Sequence, residues 1–280
     1  MPIPFSYPFF FLMVIFRIYP IIYSFGLSFL KIVFEGGAVK TSYVGFENWA
    51  VLISDPFVLK SFMITAYFTG LSVGIGIVFS LGVALLLNKD FRGKKILSTI
   101  LLIPWAIPSV VSGQVWKWIF NSQYGILNTI LLKLNIISER VTWLFNPDLA
   151  LYCVVFAQIW NITPFMLILF LSSLATVPKT LYDAALVDGA NRWQSFRHVT
   201  FPWIRTTFFF VLILEIMWSF KSFDLIYVLT RGGPYDSTTV VYLLVYKNTF
   251  EYFKFGIGAA LAYLLAIVIL ILTWLMYRFT

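Results

Sequence analysis

Residue types that carry out covalent chemistry are scarce in this sequence. The 280-residue chain has one histidine, His198, and one cysteine, Cys153. A cluster of histidine or cysteine metal ligands is therefore excluded, as is a disulfide framework. The nucleotide-binding pattern G-x-x-x-x-G-K-[ST] occurs nowhere in the chain. We expect neither an enzyme nor a metal site.

Two apolar stretches instead contain residues that suit non-covalent binding. One stretch has Trp160 and Asn161, and the other has Glu215, Trp218 and Ser222. The spacing of Glu215, Trp218 and Ser222 puts them on one face of a helix. Aromatic faces and hydrogen-bonding groups together suit a solute that has both apolar C–H patches and hydroxyl groups. The same residues also fit interfacial aromatics and ordinary helix packing, and the sequence leaves both interpretations open.

The elements that must position these residues are long apolar segments. Hydrophobic residues make up 60% of the chain and charged residues 11%, whereas soluble proteins carry roughly 25% charged residues. A membrane-spanning helix needs about 20 mostly apolar residues. We therefore expect an all-α integral membrane protein with six transmembrane helices. The six segments are residues 8–30, 59–87, 96–118, 149–174, 206–228 and 255–277.

Glu215 is the most unusual polar residue in these segments. It lies about nine residues into the fifth one, roughly 14 Å along a helix axis. An ionisable side chain at that depth is costly in lipid. We expect Glu215 to face a wet translocation path or a partner subunit.

Basic residues predict how the chain is oriented. Connection 88–95 contains four of them, and connection 175–205 is also rich in Lys and Arg. Positive charge collects on the cytoplasmic side of membrane proteins. We therefore predict that both connections and both chain termini are cytoplasmic. The net charge of +8 reflects these membrane flanks, so no nucleic-acid partner is expected.

The connection 179–205 has the most informative local pattern. Apolar and small residues predict a helix over 181–188, and Gly189 is typical of a helix C-terminus. A second short amphipathic helix is expected around Trp193, and Pro202 is expected to end it before the fifth span. Periodicity alone fits a plain linker and a compact knob for a partner's cleft equally well.

This connection resembles the EAA loop of binding-protein-dependent ABC importer permeases. That pattern is an acidic residue and two alanines, an aspartate–glycine–alanine three positions on, and a proline about a dozen residues later. Asp183 stands where the family has glutamate, which shortens the carboxylate's reach by one methylene. The matching residues are Tyr182, Asp183, Ala184, Ala185, Asp188, Gly189, Ala190, Phe196 and Pro202.

Further motifs resemble the carbohydrate-uptake branch of that family, the MalF-like type I importer permeases. The resemblance implies a core transmembrane domain over residues 59–277. Residues 1–58 would then form a first transmembrane helix and an extracellular loop. The motifs are YVGFEN at 43–48, LIPWAIP at 102–108, WKWIFN at 116–121, FDLIYVLT at 223–230 and GGP at 232–234.

The resemblance also implies partners and a mechanism. A second, homologous permease would pair with this one in the plasma membrane of a bacterium or archaeon. Each permease would insert its EAA loop, as a coupling helix, into one of two ATP-binding subunits. Those subunits would hold ATP and Mg, so this chain binds no cofactor itself. An extracellular solute-binding protein would deliver the sugar.

Two other functions stay open on the sequence alone. The first is an ion-gradient-driven secondary transporter, a class that commonly shows inverted repeats and a mid-membrane ion site. The chain has no evident repeat, and only Glu215 would suit such a site. The second is a permease for a non-sugar solute such as glycerol phosphate. The chain has no cluster of in-membrane arginines to bind a phosphate, which favours a neutral sugar.

Overall fold

The computed structural model describes residues 6–35, 38–89 and 91–278, which are mostly helical. Three short π-helical turns lie at Val14–Ile18, Phe196–Thr200 and Lys247–Glu251. The other elements are α1 (Ser6–Met13), α2 (Tyr19–Leu27), β1 (Leu30–Glu35), β2 (Ala38–Tyr43), α3 (Glu47–Ser54), α4 (Pro56–Leu87), α5 (Lys94–Ala106), α6 (Ser109–Ile119), α7 (Ile126–Lys133), α8 (Pro147–Leu174), α9 (Lys179–Val187), α10 (Arg192–Ser195), α11 (Phe201–Phe220), α12 (Asp224–Leu229), α13 (Val241–Tyr246) and α14 (Phe255–Tyr277).

Five helical stretches in the described part of the chain are long and apolar enough to cross a membrane. A sixth span is obtained when the bent pair α5 and α6 is counted as one. The prediction of an all-α membrane protein is confirmed, and α4, α8 and α14 lie close to the predicted spans. The five stretches are Phe10–Leu27, Pro56–Leu87, Pro147–Leu174, Arg192–Phe220 and Phe255–Met276.

The prediction of one continuous helix over 96–118 is wrong. The chain bends by 102° between α5 and α6. Ile107 is extended, with φ −87° and ψ 125°, and Pro108 precedes the first residue of α6. A residue before proline is driven out of the helical region by the proline ring, so the break follows from Pro108.

The predicted boundaries of the fifth span, 206–228, are also wrong. The helix begins at Arg192 and ends at Phe220. Pro202 lies in the first turn of α11 and does not end a helix. The preceding π turn, in which the Phe201 N–H donates to the Phe196 carbonyl, is wider than an α turn. Proline is tolerated there because the helix path has already been widened.

Residues 1–63 and 240–271 form one compact unit of the chain. It contains the antiparallel hairpin β1–β2, in which Leu30 pairs with Tyr43. The Asn48 side-chain amide donates to the carbonyls of Ser28 and Leu30, at 2.9 and 3.0 Å. A Cβ atom at Gly256 would clash with the Leu30 carbonyl oxygen, so only glycine fits there. The hairpin was not predicted from the sequence.

Residues 64–239 and 272–280 form the second compact unit. Its core consists of apolar side chains from α4, α8 and α11. α8 is buried along most of its length, which explains why it is apolar on all sides. The core residues with the least exposure include Ala84, Met166, Leu167, Phe170, Ile204 and Val211.

Candidate coupling loop and solute cavity

α9 ends in a glycine cap. Gly189 has φ +73°, a left-handed conformation that glycine adopts without strain. The Ala190 N–H donates to the Ala185 carbonyl at 2.9 Å, and the Gly189 N–H donates to the Leu186 carbonyl at 3.1 Å. These two bonds define a Schellman motif. The predicted helix end at Gly189 is confirmed.

α9 is anchored to the core at Tyr182, and most of its other residues are exposed. The hydroxyl groups of Tyr182 and Thr200 share a hydrogen bond of 2.9 Å, and Thr200 is buried. Tyr182 also packs against the apolar core. Towards the C-terminal end of α9, Leu186 and Val187 are 69% and 88% exposed. Large apolar side chains that protrude together are typical of a surface that a partner covers.

The nine residues of the EAA-like pattern therefore have different surroundings. Tyr182 and Phe196 pack against the core, and the Phe196 ring stacks on Trp193 at 5.6 Å between ring centroids. Ala185 and Ala190 are half-buried. The remaining five are on the exposed surface or in the glycine turn, namely Asp183, Ala184, Asp188, Gly189 and Pro202.

A new helix starts within this loop, directly after the glycine turn, and continues into the apolar region. Asn191 and Gln194 form a capping box, in which each side chain accepts a hydrogen bond from the other's backbone N–H. From Arg192 the helix runs through the π turn and α11 to Phe220, a length of 29 residues. The predicted second short helix is thus the beginning of a spanning helix.

A cavity of about 490 Å³ lies where two helix breaks meet α8. One break separates α5 from α6, and the other separates α11 from α12. Non-helical backbone at membrane depth is tolerated where it lines a cavity, because the freed polar groups can be hydrated. The lining residues are Trp105, Ala106, Ile107, Pro108, Ser109, Gln158, Asn161, Ile162, Phe165, Trp218, Lys221, Ser222, Phe223, Asp224 and Leu225.

Three aromatic rings form a row along this cavity. The ring of Phe165 lies 4.7 Å from that of Trp218 and 5.9 Å from that of Trp105, measured between centroids. Both tryptophans are substantially exposed, at 40% for Trp218 and 53% for Trp105. The row therefore offers apolar ring faces to the cavity.

Polar groups from the same lining complement the aromatic row. The Ser222 hydroxyl donates to the Gln158 side-chain oxygen at 3.4 Å. Asn161 adds a second amide, and Lys221 and Asp224 add one charge of each sign. The cavity can thus donate hydrogen bonds to a solute and accept them from it, without a net charge from these side chains.

The structure brings together three of the five predicted binding residues. Asn161, Trp218 and Ser222 line the cavity, although Ser222 lies beyond the end of α11 and not on its helical face. Trp160 points elsewhere, with its ring 5.7 Å from that of Trp116 in an edge-to-face arrangement. Glu215 does not line the cavity either.

Glu215 is fully buried in α11. Neither of its carboxylate oxygens has a hydrogen-bond partner among the described residues, and neither does the hydroxyl of Ser219 one turn later. A buried carboxyl group without a partner is costly. In this structure Glu215 therefore faces neither water nor a partner surface, and its functional role stays a prediction.

Sequence inspection missed Trp105, Ser109 and Phe165 as cavity residues. Trp105 and Ser109 flank the break at Ile107–Pro108, so the two prolines of LIPWAIP were the available signal. Phe165 carries no such signal, because aromatic residues are common throughout the apolar segments.

The broken helices around a cavity, together with several membrane-spanning helices, define a multi-pass membrane transport component. Residues 72–280 match the family described as Binding-protein-dependent transport system inner membrane component. The chain belongs to this family, whose members are permease subunits of ABC importers and not enzymes.

Similar proteins support this assignment. The chain is 36% identical over 231 residues to the trehalose/maltose transport system permease protein MalF of Thermococcus litoralis, covering 82% of this chain and 77% of that protein. It is 32% identical over 245 residues to the sulfoquinovosyl glycerol transport system permease protein SmoG of Agrobacterium fabrum, covering 88% and 79%.

A solved structure has the same fold. It is that of a bacterial ABC transporter involved in the import of the acidic polysaccharide alginate. One of its chains superposes with a TM-score of 0.84, covering 98% of this chain and 92% of that chain, at 23% sequence identity.

Proposed function

We propose that this chain is one of two permease subunits of an ATP-driven sugar importer in the plasma membrane of a bacterium or archaeon. α9 would insert into a groove of a cytoplasmic ATP-binding subunit, and the cavity would form this chain's share of the translocation path. The core domain would be residues 59–277, with the loop 179–205 and both termini on the cytoplasmic side.

The observation that carries this proposal is the unbroken helix between Arg192 and Phe220. Its first turn follows the α9 cap directly, and its last turn contains Trp218 at the cavity. The Tyr182–Thr200 hydrogen bond ties α9 to the same helix. A displacement of α9 by an ATP-binding subunit would therefore move a cavity wall.

The cavity lining supports a sugar as the solute. The aromatic row suits the apolar C–H faces of a pyranose, while Gln158 and Asn161 suit its hydroxyl groups. Lys221 and Asp224 cancel in charge, which favours a neutral sugar over glycerol phosphate. Two of the similar permeases named above are described as serving trehalose/maltose and sulfoquinovosyl glycerol.

The remaining partners are those that we expect for a member of this family. The proposal includes a second permease, two ATP-binding subunits and an extracellular solute-binding protein. A solved alginate transporter of the same fold is described in complex with a periplasmic protein bound to an alginate pentasaccharide. ATP and Mg would be held by the ATP-binding subunits.

Uptake by the assembled transporter in vesicles tests the proposal. Trehalose, maltose and glycerol phosphate would each be offered with the cognate binding protein, with and without ATP inside the vesicles. ATP-dependent uptake of a neutral sugar is expected. Uptake that continues without ATP and follows an ion gradient would show that the chain is a secondary transporter instead.

Two variants test the role of the loop and the role of the cavity separately. Ala184→Arg adds a bulky charge to the exposed side of α9, and we expect it to abolish ATP-dependent uptake. Its control is Ala50→Arg, which changes an exposed alanine on α3.

The cavity is tested by Trp218→Ala, which should raise the KM for uptake roughly five- to tenfold through the lost ring contact. Its control, Trp118→Ala, removes an exposed tryptophan that does not line the cavity.

A further inference from the structure

A second concave surface lies between the last turns of α4 and the α9–α10 region. We call it the α4–α9 groove, and its volume is about 1080 Å³. Its lining is mainly apolar, with exposed side chains such as Val78 and Leu86 on the α4 side.

The charges at this groove have one sign. Lys89 and Arg192 are the charged residues of its lining within the described part of the chain, and both are exposed. Lys89 follows the C-terminus of α4, and Arg192 is the first residue of α10. Two exposed cations in the lining of a mainly apolar groove complement an anionic head with an apolar tail.

Aromatic residues form one wall of the groove. Trp193 is 67% exposed, and its ring stacks on Phe196. Further in, Phe208 packs against the apolar core. An exposed tryptophan beside basic residues is typical of the level of lipid headgroups, because the indole ring is apolar and its N–H is polar.

We infer that the α4–α9 groove binds an anionic phospholipid of the cytoplasmic leaflet. The phosphate lies between Lys89 and Arg192, and an acyl chain lies along α4 beside Gly82. Basic pockets between transmembrane helices on the cytoplasmic side recognise anionic headgroups in this way. This inference goes beyond the proposed function, and it rests on the orientation that the basic connections predict.

A lipid bound in this groove would affect transport because of where the groove lies. Tyr182 and Phe196, which anchor the coupling loop to the core, are part of its wall. A bound acyl chain would therefore fill the space behind α9 and restrain the loop. We expect uptake at equal ATP concentration to depend on the anionic lipid fraction of the vesicle.

Retention of lipid by the assembled transporter tests this inference. The complex would be equilibrated in bilayers of equal phosphatidylglycerol and phosphatidylethanolamine, extracted mildly and examined by native mass spectrometry. Retained phosphatidylglycerol should exceed retained phosphatidylethanolamine severalfold. The combined variant Lys89→Gln/Arg192→Gln should remove that excess. The control Arg92→Gln/Lys95→Gln removes two exposed basic residues that lie outside the groove and should not.

A second pair of variants tests the apolar part of the groove and leaves Lys89 and Arg192 unchanged. A Cβ atom at Gly82 would meet nothing within 4 Å, so Gly82→Leu adds its side chain to the groove without a clash at the Cβ atom. It should lower phosphatidylglycerol retention, whereas Gly74→Leu, equally open on the same helix but outside the groove, should not. Equal retention of both lipids would overturn the inference. So would efficient cross-linking of a cysteine placed at Gly82 to an ATP-binding subunit or to the second permease.

Discussion

The hydroxyl group of Tyr182 lies 2.9 Å from that of Thr200, and this hydrogen bond joins α9 to the π turn at the base of the longest membrane helix after α4. Tyr182→Phe removes the bond and keeps the ring. We expect a loss of about 1 kcal/mol of stability, because Thr200 is left buried without this partner. Sugar uptake per ATP hydrolysed should also fall, since α9 is less firmly tied to α11.

The matched control is Tyr152→Phe. Its hydroxyl shares a hydrogen bond of 2.8 Å with that of Tyr67, but at an exposed position. This bond lies outside the coupling loop, so the uptake ratio should stay unchanged even if the melting temperature falls. Equal effects of the two variants would show that the Tyr182–Thr200 bond has no special role in coupling.

The glycine turn after α9 gives a second prediction. Gly189→Ala places a Cβ atom at φ +73°, which costs about 1–2 kcal/mol for a non-glycine residue. We expect a lower melting temperature for the assembled transporter and weaker stimulation of ATP hydrolysis by the loaded binding protein.

Gly70→Ala is the control for that variant. Gly70 lies inside α4 with open space around a Cβ atom, and alanine is the better helix former there. Its melting temperature should be unchanged or slightly higher. A fall in melting temperature as large as that of Gly189→Ala would mean that the left-handed turn is not the cause.

The sequence predicts those parts of the structure that depend on residues close together in the chain. The length of α4 and α8 and the cap at Gly189 follow from apolar runs and one glycine, and all were predicted. The break after Phe220 carries no proline or glycine. It accompanies the packing of α12 on α6, in which Leu225 and Ile226 are buried, and such contacts cannot be read from a sequence.

The residues of the candidate site could also be predicted only in part from the sequence. Trp160 and Asn161 are adjacent in α8, yet only Asn161 lines the cavity. α8 is apolar on all sides, so its sequence does not show which face is turned to the cavity. Pro202 was misjudged for a related reason. The π turn that accommodates it includes Thr200, whose bond to Tyr182 crosses 18 positions of the sequence.

The close approach of α6 and α12 gives a third prediction. A Cβ atom at Gly113 would lie 3.0 Å from the Cβ and Cγ1 atoms of Val228. Gly113→Val should therefore overpack this contact and cost about 1–3 kcal/mol. Because both helices carry cavity residues at their first turns, the KM for sugar should rise as well.

Shortening the opposing Val228 side chain tests whether the clash causes this loss of stability. Val228→Ala combined with Gly113→Val should recover part of the lost melting temperature, giving a non-additive pair. Gly74→Val, where a Cβ atom meets nothing within 4 Å, should have little effect. Additive losses in the double variant would contradict the proposed clash.

The buried carboxyl group of Glu215 gives the last prediction. Its oxygens have no hydrogen-bond partner among the described residues, so the side chain destabilises this conformation. Glu215→Met keeps a similar volume without the polar oxygens, and we expect it to raise the melting temperature of the assembled transporter. Glu139→Met, at an exposed position, should leave it unchanged.

The same variant distinguishes a structural from a functional role for Glu215. If the carboxyl group is needed in another conformation of the transport cycle, Glu215→Met will transport more slowly while it melts at a higher temperature, because stability in one state is gained at the expense of the other. If uptake is unchanged, the residue has no part in transport. A lower melting temperature would show instead that the carboxyl group makes a stabilising interaction in the complete transporter, such as one with the second permease.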